Sequence, residues 1–145
     1  MEEKHIYETY MKTTLNDIRF IDLPVVEDAR GNLAFIQEGI VPYNFKRVYY
    51  LFDVPSGAER GGHSHIAQKQ MLIALSGSFD VLLNDGTEKR TYTLNRPNKG
   101  LFVVEGVWRE LQNFSSGAVC LVIAEDVFDE NDYIREFDDF LESKR

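Results

Sequence analysis

Short stretches of apolar and β-branched residues follow one another along most of the chain, and turn-forming residues separate them. This pattern is typical of a β-sandwich or a β-barrel. Asn84-Asp85-Gly86 supplies the positive φ of a tight turn, so the stretches on either side of it are expected to pair as a hairpin. The predicted strands cover residues 18–23, 32–38, 46–54, 62–65, 70–75, 77–84, 89–94, 101–104, 109–114 and 118–125.

The C-terminal segment has a helical period instead. Its apolar residues recur at helical spacing after the acidic segment 129–132. We therefore predict one helix over residues 131–141, with an apolar stripe that docks against the β-structure. The residues of that stripe are Tyr133, Ile134, Phe137, Phe140 and Leu141.

The composition predicts a single globular domain over residues 1–145, in which residues 1–15 form a leader. The chain is 43% hydrophobic, which is enough to bury a core. No apolar run approaches the roughly 18 residues of a spanning helix, and the charged beginning is unlike a secretory signal, which predicts a cytoplasmic protein.

Cys120 lies in the apolar run 118–124, and we expect it to be buried and unreactive.

The overall charge narrows the choice of ligand. A formal net charge of −8 and a pI near 4.9 argue against a nucleic-acid surface, which needs clustered lysine and arginine. A small phosphorylated ligand is compatible with this charge, because a few convergent arginines in a cleft hold a pyrophosphate whatever the net charge. We expect no nucleic-acid partner and no membrane partner.

One spaced motif stands out between Gly57 and Gly77. Five residues separate Gly57 from His63, one residue separates His63 from His65, four lie before Gln70, and six follow before Gly77. This spacing resembles the first motif of the cupin superfamily, with Gln70 where the family usually has glutamate. The resemblance implies an all-β fold, the RmlC-like jelly-roll barrel.

The same stretch argues against a metal or another cofactor. In metal cupins two histidines, a glutamate and a histidine from a second motif bind the ion, whereas Gln70 offers only a neutral amide. The second motif is expected within residues 100–113, which contain no histidine. The remaining histidine, His5, lies in the leader. We predict a metal-free site, with a metal-dependent dioxygenase as the alternative that metal analysis tests.

Without a metal, the two histidines still suit proton transfer. Residues at i and i+2 of a strand point to the same face, so His63 and His65 are expected to enter the barrel together. Imidazole has an unperturbed pKa near neutrality, which suits a group that takes up a proton and returns it. A pair of structural, hydrogen-bonded histidines is the alternative.

Further candidates surround the pair in the sequence. Arg47 and Tyr49 share one face of a predicted strand, Arg60 precedes the histidines, and Arg109 follows Trp108. All five are candidates to line one cavity. Each also has an ordinary structural role, since Tyr and Trp commonly pack in cores and arginines commonly lie in solvent.

Longer stretches narrow the resemblance to one family. They read FKRVYYLFDV, RGGHSH, GVWRELQNFSSGAVCLVIA and DENDYIREFDDFL. These resemble the WxcM-like or FdtA-like cupins, the dTDP-4-keto-6-deoxyglucose 3,4-ketoisomerases, from about residue 23 to residue 141. The resemblance implies a cytoplasmic, metal-free homodimer with exchanged N-terminal strands, whose 3-keto product serves the synthesis of amino sugars for surface polysaccharides such as O-antigen or S-layer glycans.

The resemblance also implies roles for individual residues. His63 is expected to be the principal base, His65 its partner in proton transfer, and Tyr49 a hydrogen-bond donor or proton relay at the sugar oxygens. Arg109 stands where several family members have histidine, and together with Arg30 it is expected to bear on stereochemistry. The residues expected to contact substrate are Arg60, Arg47, Gln70, Arg109, Arg30 and Trp108.

Two other functions compete with the isomerase. A nucleotide-sugar 3,5-epimerase of the related cupins would use a histidine base and a tyrosine acid on a similar substrate. A non-catalytic sugar-binding cupin would hold the ligand without turnover. Solvent deuterium distinguishes the two enzymes, because only the epimerase labels C5.

Overall fold

The computed structural model describes residues 12–145, and two antiparallel five-stranded sheets make up most of it. One sheet has the order β1-β9-β6-β11-β4, the other has the order β12-β5-β10-β7-β8, and β2 and β3 form a separate hairpin. The strands are β1 Arg19–Asp22, β2 Val25–Val26, β3 Leu33–Ala34, β4 Arg47–Leu51, β5 Arg60–His65, β6 Gln70–Ser76, β7 Phe79–Asn84, β8 Lys89–Leu94, β9 Lys99–Val103, β10 Trp108–Gln112, β11 Val119–Ala124 and β12 Tyr133–Ile134. This is the predicted all-β, jelly-roll architecture.

The hairpin of β7 and β8 shows how the sequence produces these strands. Phe79, Val81 and Leu83 alternate with less buried residues and point into the core. The strands pair from Phe79 opposite Leu94 to Asn84 opposite Lys89, as predicted. At the turn, Oδ1 of Asp85 accepts the backbone N–H groups of residues 87 and 88, each at 2.8 Å, so the turn closes on its own side chain.

Two predicted strands end early where the backbone turns left-handed. The stretch 46–54 forms a strand only to Leu51, and Asp53 has a φ of 55°. The stretch 109–114 ends at Gln112, and Asn113 has a φ of 57°. A residue at positive φ leaves the extended conformation, so the ladder stops before it.

The prediction for residues 32–38 is mostly wrong. Only Leu33–Ala34 is a strand, and it pairs with Val25–Val26 in an isolated hairpin. In the residues that follow, Val41 is buried in the hydrophobic core, and Ile36 and Tyr43 pack against that core. Contacts with the core therefore take the place of strand pairing in this segment.

The prediction of a helix over residues 131–141 is wrong in its first half. Residues 130–132 form a single 3₁₀ turn, capped by the side chain of Asp129, and β12 then pairs with the edge of β5. The open edge of β5 supplies backbone partners there. Helix α1, Phe137–Ser143, is short, and its Phe140 is fully buried beside Trp108 and Ile134, which confirms the docking face.

The leader predicted over residues 1–15 falls mainly outside the described residues. Of its last part, Leu15 is buried and its N–H donates to Oδ2 of Asp85 at 2.9 Å, so the described fold already includes this position. Cys120 is buried as predicted, and burial raises the pKa of its thiol to about 12. Within residues 12–145 no helix has the length and apolar character needed to cross a membrane.

Candidate active site

A cavity of about 430 Å³ lies between the two sheets and collects most of the polar residues singled out in the sequence. The first sheet contributes residues of β4, β6 and β11, and the second contributes residues of β5, β10 and β12. Side chains of one face alternate along each strand, so β4 presents every second residue to the cavity. The polar residues that line it are Arg47, Tyr49, Arg60, His63, Gln70, Arg109, Tyr133 and Arg135.

The two histidines lie one behind the other. His63 lines the cavity and is 9% exposed, whereas His65 is fully buried behind it. Their Nε2 atoms are 3.2 Å apart, and the two rings are nearly perpendicular. The sequence prediction that both side chains enter the barrel interior is therefore confirmed, although within the described residues only His63 reaches the cavity.

Burial lowers the pKa of both imidazoles. For His63 the positive charges of Arg109 and of a protonated His65 add to desolvation, and the pKa falls to about 2. For His65 desolvation is again the largest effect, but a hydrogen bond to Asp132 opposes it and the pKa is about 4. Both rings are therefore neutral near pH 7, and His65 is the more basic of the two.

Asp132 supports His65 from the side away from the cavity. Its Oδ2 lies 2.8 Å from Nδ1 of His65 and accepts a hydrogen bond from Nε2 of Gln68 at 2.9 Å. Its Oδ1 accepts the N–H of Ala67 at 2.7 Å. Burial alone would raise the pKa of this carboxyl, yet these hydrogen bonds leave it below its usual value, so Asp132 is ionised.

Gln70 organises the opposite wall of the cavity. Its Oε1 accepts a hydrogen bond from Nη1 of Arg109 at 2.7 Å and another from the hydroxyl of Tyr49 at 3.3 Å. Its Nε2 donates to Oε1 of Gln68 at 3.4 Å, and Gln68 in turn contacts Asp132. One chain of hydrogen bonds therefore runs from Arg109 to the carboxylate behind the histidines.

Arg109 is the most unusual residue of the site. It is 2% exposed, and its Nε and Nη2 have no hydrogen-bond partner among the described residues. Burial lowers the pKa of its guanidinium. A buried cation with unpaired donors is unfavourable in isolation, and on a cavity wall it suits a ligand oxygen that carries negative charge.

The pairing of β5 with β10 explains why these groups meet. Arg109 lies directly opposite His63 across the two strands, and on the other side of β5, Tyr133 of β12 lies opposite His65. Directly opposite residues of neighbouring strands point to the same face. The order of the second sheet therefore brings both histidines, the guanidinium and Tyr133 together.

Comparison with known proteins agrees with this arrangement. The model of the FdtA family, described as WxcM-like, C-terminal, matches residues 16–145. The chain belongs to this family. The resemblance and the cupin fold predicted from the sequence are thus both confirmed.

Several proteins similar to this chain are sugar-nucleotide isomerases. A TDP-4-oxo-6-deoxy-α-D-glucose 3,4-oxoisomerase from Aneurinibacillus thermoaerophilus is 42% identical over 84% of this chain and 88% of its own. A TDP-bound sugar 3,4-ketoisomerase from Thermoanaerobacterium thermosaccharolyticum superposes with a TM-score of 0.88 at 36% identity, covering 90% of this chain and 96% of that one. A TDP-quinovose 3,4-ketoisomerase from Campylobacter jejuni gives 0.83 at 42% identity, covering 87% and 98%.

Two residues predicted to contact substrate lie elsewhere in this FdtA-family chain. Trp108 points to the opposite side of β10 from Arg109, where it packs on Phe140 of α1 and does not line the cavity. Arg30 lies on the exposed turn between β2 and β3 and forms an ion pair with Asp28 at 2.7 Å. Within one described chain, neither side chain lines the cavity of His63, and the substrate contacts expected of both stay predictions.

Sequence reasoning missed four polar residues near the histidines. The helix expected over 131–141 hid Asp132, Tyr133 and Arg135, because residues 133–134 pair with β5 as a short strand and bring the residues on either side with them. The ring of Tyr133 is centred 5.0 Å from that of His63, and the guanidinium carbon of Arg135 lies 4.3 Å from the centre of the Tyr133 ring. Gln68 was passed over because it falls between the strands. For Asp132, Tyr133 and Arg135, the sequence signal was the family resemblance of the DENDYIR string, which contains all three.

The side chains at the site do not assemble a group of metal ligands. Among residues 12–145 there is no cluster of three or more histidine, cysteine, aspartate or glutamate residues that could hold an ion. His5 falls outside the described residues. The metal-free reaction stays a prediction, which dialysis against a chelator would test.

Proposed function

We propose that this protein is a nucleotide-sugar 3,4-ketoisomerase that converts dTDP-4-keto-6-deoxyglucose to its 3-keto isomer. The observation that carries the proposal is the position of His63 on the cavity wall, opposite a buried guanidinium whose Nε and Nη2 have no partner within residues 12–145. The chemistry of a keto shift needs both: a base for a carbon-bound proton and a donor for the oxygen that becomes negative. The relatives named above catalyse this class of reaction.

The first half of the reaction is removal of the proton at C3. The ketone at C4 acidifies this C–H bond, and His63 takes the proton. The bonding pair becomes the C3–C4 double bond, and the carbonyl pair moves to the oxygen at C4. The free N–H groups of Arg109 are suited to this enediolate oxygen, because donors fixed in a water-poor site need no reorganisation as charge develops.

The second half returns the proton to the neighbouring carbon. The hydroxyl proton at O3 moves to O4, and Tyr49 is our candidate for relaying it, since burial raises the pKa of its phenol and keeps it protonated. The histidine pair then delivers its proton to C4, and a carbonyl forms at C3. The reaction removes one proton from C3 and adds one proton at C4, so no redox cofactor is required.

Three arginines are suited to the diphosphate. Arg47, Arg60 and Arg135 line the cavity, and the latter two are exposed at its rim. Guanidinium groups bind phosphate oxygens through paired hydrogen bonds. We propose that they hold a dTDP diphosphate while the sugar enters toward His63, with Gln70 fixing Tyr49 and Arg109 around it.

We further propose that the protein is a homodimer with exchanged N-terminal strands. Within the described residues, β4 is an edge strand, and its outward residues Val48 and Tyr50 are exposed. The β2–β3 hairpin stands alone and exposes Val26 and Leu33, and an isolated two-stranded hairpin is only marginally stable. A partner subunit would supply the missing contacts.

The exchange bears on Arg30 as well. This residue lies on the turn of the β2–β3 hairpin, so an exchanged hairpin carries it to the partner subunit. We propose that its expected influence on the configuration at C4, shared with Arg109, is exerted there. Light scattering of the full-length chain should give twice the monomer mass of 16.8 kDa, and a monomer at micromolar concentration would refute the dimer.

We also propose a cytoplasmic location and a place in surface-glycan synthesis. The family resemblance carries both: a 3-keto sugar nucleotide is the substrate that an aminotransferase needs to make a 3-amino-3,6-dideoxyhexose. Fractionation of cells that express the tagged chain tests the location, and loss of the amino sugar from surface glycans on deletion tests the pathway.

The decisive experiment for the activity is NMR spectroscopy of the product formed from dTDP-4-keto-6-deoxyglucose. We expect the keto group at C3 and an intact C5 centre, and the C4 coupling constants report the gluco or galacto configuration. A product with the keto group still at C4 and inverted C3 and C5 centres would instead make the protein a 3,5-epimerase. Tight binding of TDP without any product would favour a sugar-binding cupin.

A further inference from the structure

The hydrogen bonds behind the cavity fix where the hydrogens of the histidine pair lie. Asp132 is ionised and accepts hydrogen bonds only, so Nδ1 of His65 at 2.8 Å carries a hydrogen. A neutral His65 then has none on Nε2. Because Nε2 of His65 faces Nε2 of His63 at 3.2 Å, the hydrogen between the two rings belongs to His63.

This assignment leaves a directed path through His63. With its hydrogen on Nε2, neutral His63 has its free lone pair on Nδ1. Imidazole takes up a proton on one nitrogen and releases another from the second. A proton taken from C3 at Nδ1 therefore allows the Nε2 hydrogen to pass to His65, which leaves His63 neutral and His65 positively charged beside the Asp132 carboxylate.

We propose that Asp132 is a positioning residue that holds His65 as the Nδ1–H tautomer, so that His65 can receive a proton from His63 and return it. This inference rests on the proposed function. Asp132 does not line the cavity and acts through His65. The return path reverses each step: Nε2 of His65 gives its proton to His63, and His63 gives the one on Nδ1 to C4.

Two features of the surroundings support this role. Gln68 Nε2 and the Ala67 N–H hold both carboxylate oxygens of Asp132, so the acceptor cannot turn away from His65. The higher pKa of His65 than of His63 has the same origin, because the hydrogen bond and the charge of Asp132 favour its protonated form. The proton therefore moves from the weaker base to the stronger one.

The tautomers can be measured directly in the unmodified protein. Histidine ring ¹H–¹⁵N correlation spectra distinguish Nδ1–H from Nε2–H forms, and the chain has only three histidines. His63→Asn and His65→Asn assign the signals. We expect an Nδ1–H form for His65 and an Nε2–H form for His63. An Nε2–H form of His65 would overturn the proposal, whether or not any variant of Asp132 folds.

The matched variants are Asp132→Asn and Asp129→Asn. Asp129 belongs to the same 3₁₀ turn and accepts the N–H of Asn131, so its variant removes one nearby negative charge without touching His65. In Asp132→Asn the amide can donate to Nδ1 of His65 and drive the other tautomer. We expect kcat to fall by at least about tenfold, the affinity for TDP to stay unchanged, and the His65 signal to switch form.

Asp132 also anchors the backbone of residues 66 and 67, and the readouts separate that structural role. A kcat equal to that of Asp129→Asn would refute the proposal. So would a low kcat with the Nδ1–H form of His65 retained. If the unmodified protein shows the expected tautomers but never isomerises the sugar, the proposed function fails while the assignment of Asp132 as the residue that sets the tautomer holds.

Discussion

The two faces of β10 differ in how completely their groups are satisfied. On one face, Trp108 packs against Phe137 and Phe140, and its Nε1 donates to Glu110 at 3.2 Å. On the other face, one residue along, Arg109 is buried, and two of its nitrogens have no partner among the described residues. The polar group of the first face is satisfied, whereas the second face leaves donors available to a ligand.

The Trp108 face of β10 contributes mainly to stability, and we expect the Arg109 face to contribute mainly to function. Apolar packing on the Trp108 face removes surface from water and fixes α1 and β12 in place. The free energy of this packing offsets the cost of burying a guanidinium and two neutral histidines on the other face, since each of these buried groups opposes folding. Substitutions on the two faces should therefore separate stability from turnover.

The largest effect is expected from Phe140→Ala on the packed face. Phe140 is fully buried, and such a truncation costs about 3–5 kcal/mol. The free energy of unfolding from urea titration measures it, and the folded variant should keep its kcat. Phe137→Ala is the control, because Phe137 is partly exposed and should cost less. Equal losses for the two would contradict the packing described here.

Acid should weaken the cavity face. The pKa values of His63 and His65 lie near 2 and 4 in the fold, below the value of about 6.5 in an unfolded chain. The unfolded state therefore binds more protons below about pH 6.5, and stability falls as the pH drops from there toward 4. We expect a lower urea midpoint at pH 5 than at pH 7.5, and a smaller difference in the His63→Asn, His65→Asn double variant.

His63→Asn should lower turnover by at least about a hundredfold, the lower end of what a placed acid–base group contributes. Binding of TDP should stay close to that of the unmodified chain, and isothermal titration with TDP provides the comparison. His65→Asn should also be impaired, but less, because His65 lies behind His63. A larger loss of turnover for His65→Asn than for His63→Asn would mean that His65 is the principal base and His63 its partner.

Gln70→Glu should reduce kcat by about tenfold, with little change in stability. A carboxylate at this position would pair with Arg109 at the site of the present 2.7 Å contact, and a neutralised guanidinium stabilises an oxyanion less. Steady-state kinetics test this, and the affinity for TDP shows whether binding has changed as well. Unchanged kcat for Gln70→Glu would remove Arg109 from the proposed mechanism.

The sequence predicted most of the polar wall but not the group behind it. Period two placed His63 with His65, and Tyr49 with Arg47, on shared strand faces, whereas Gln70 followed from the spacing of the cupin motif. Asp132 ends the 3₁₀ turn before β12, and Tyr133 begins that two-residue strand, which exists only because β5 offers an open edge. A pairing that depends on a distant edge leaves no local period, and the helical spacing of residues 133–141 suggested a different structure.

The smallest effect is expected from metal removal. Gln70 offers a neutral amide and residues 100–113 contain no histidine, so we expect activity to survive long dialysis against a strong chelator. Elemental analysis of the dialysed protein accompanies the assay. Activity that disappears and returns with an added divalent ion would contradict a metal-free reaction and revive the dioxygenase alternative.

In the proposed mechanism, His63 carries a proton between C3 and C4 of the sugar. The most direct test follows dTDP-4-keto-6-deoxyglucose by NMR in D₂O with the unmodified enzyme and with His63→Asn. We expect the enzyme to incorporate deuterium at C3 or C4 and none at C5, and we expect His63→Asn to bind TDP but to exchange neither position. Exchange at C3 at the unmodified rate in His63→Asn, or any label at C5, would contradict it.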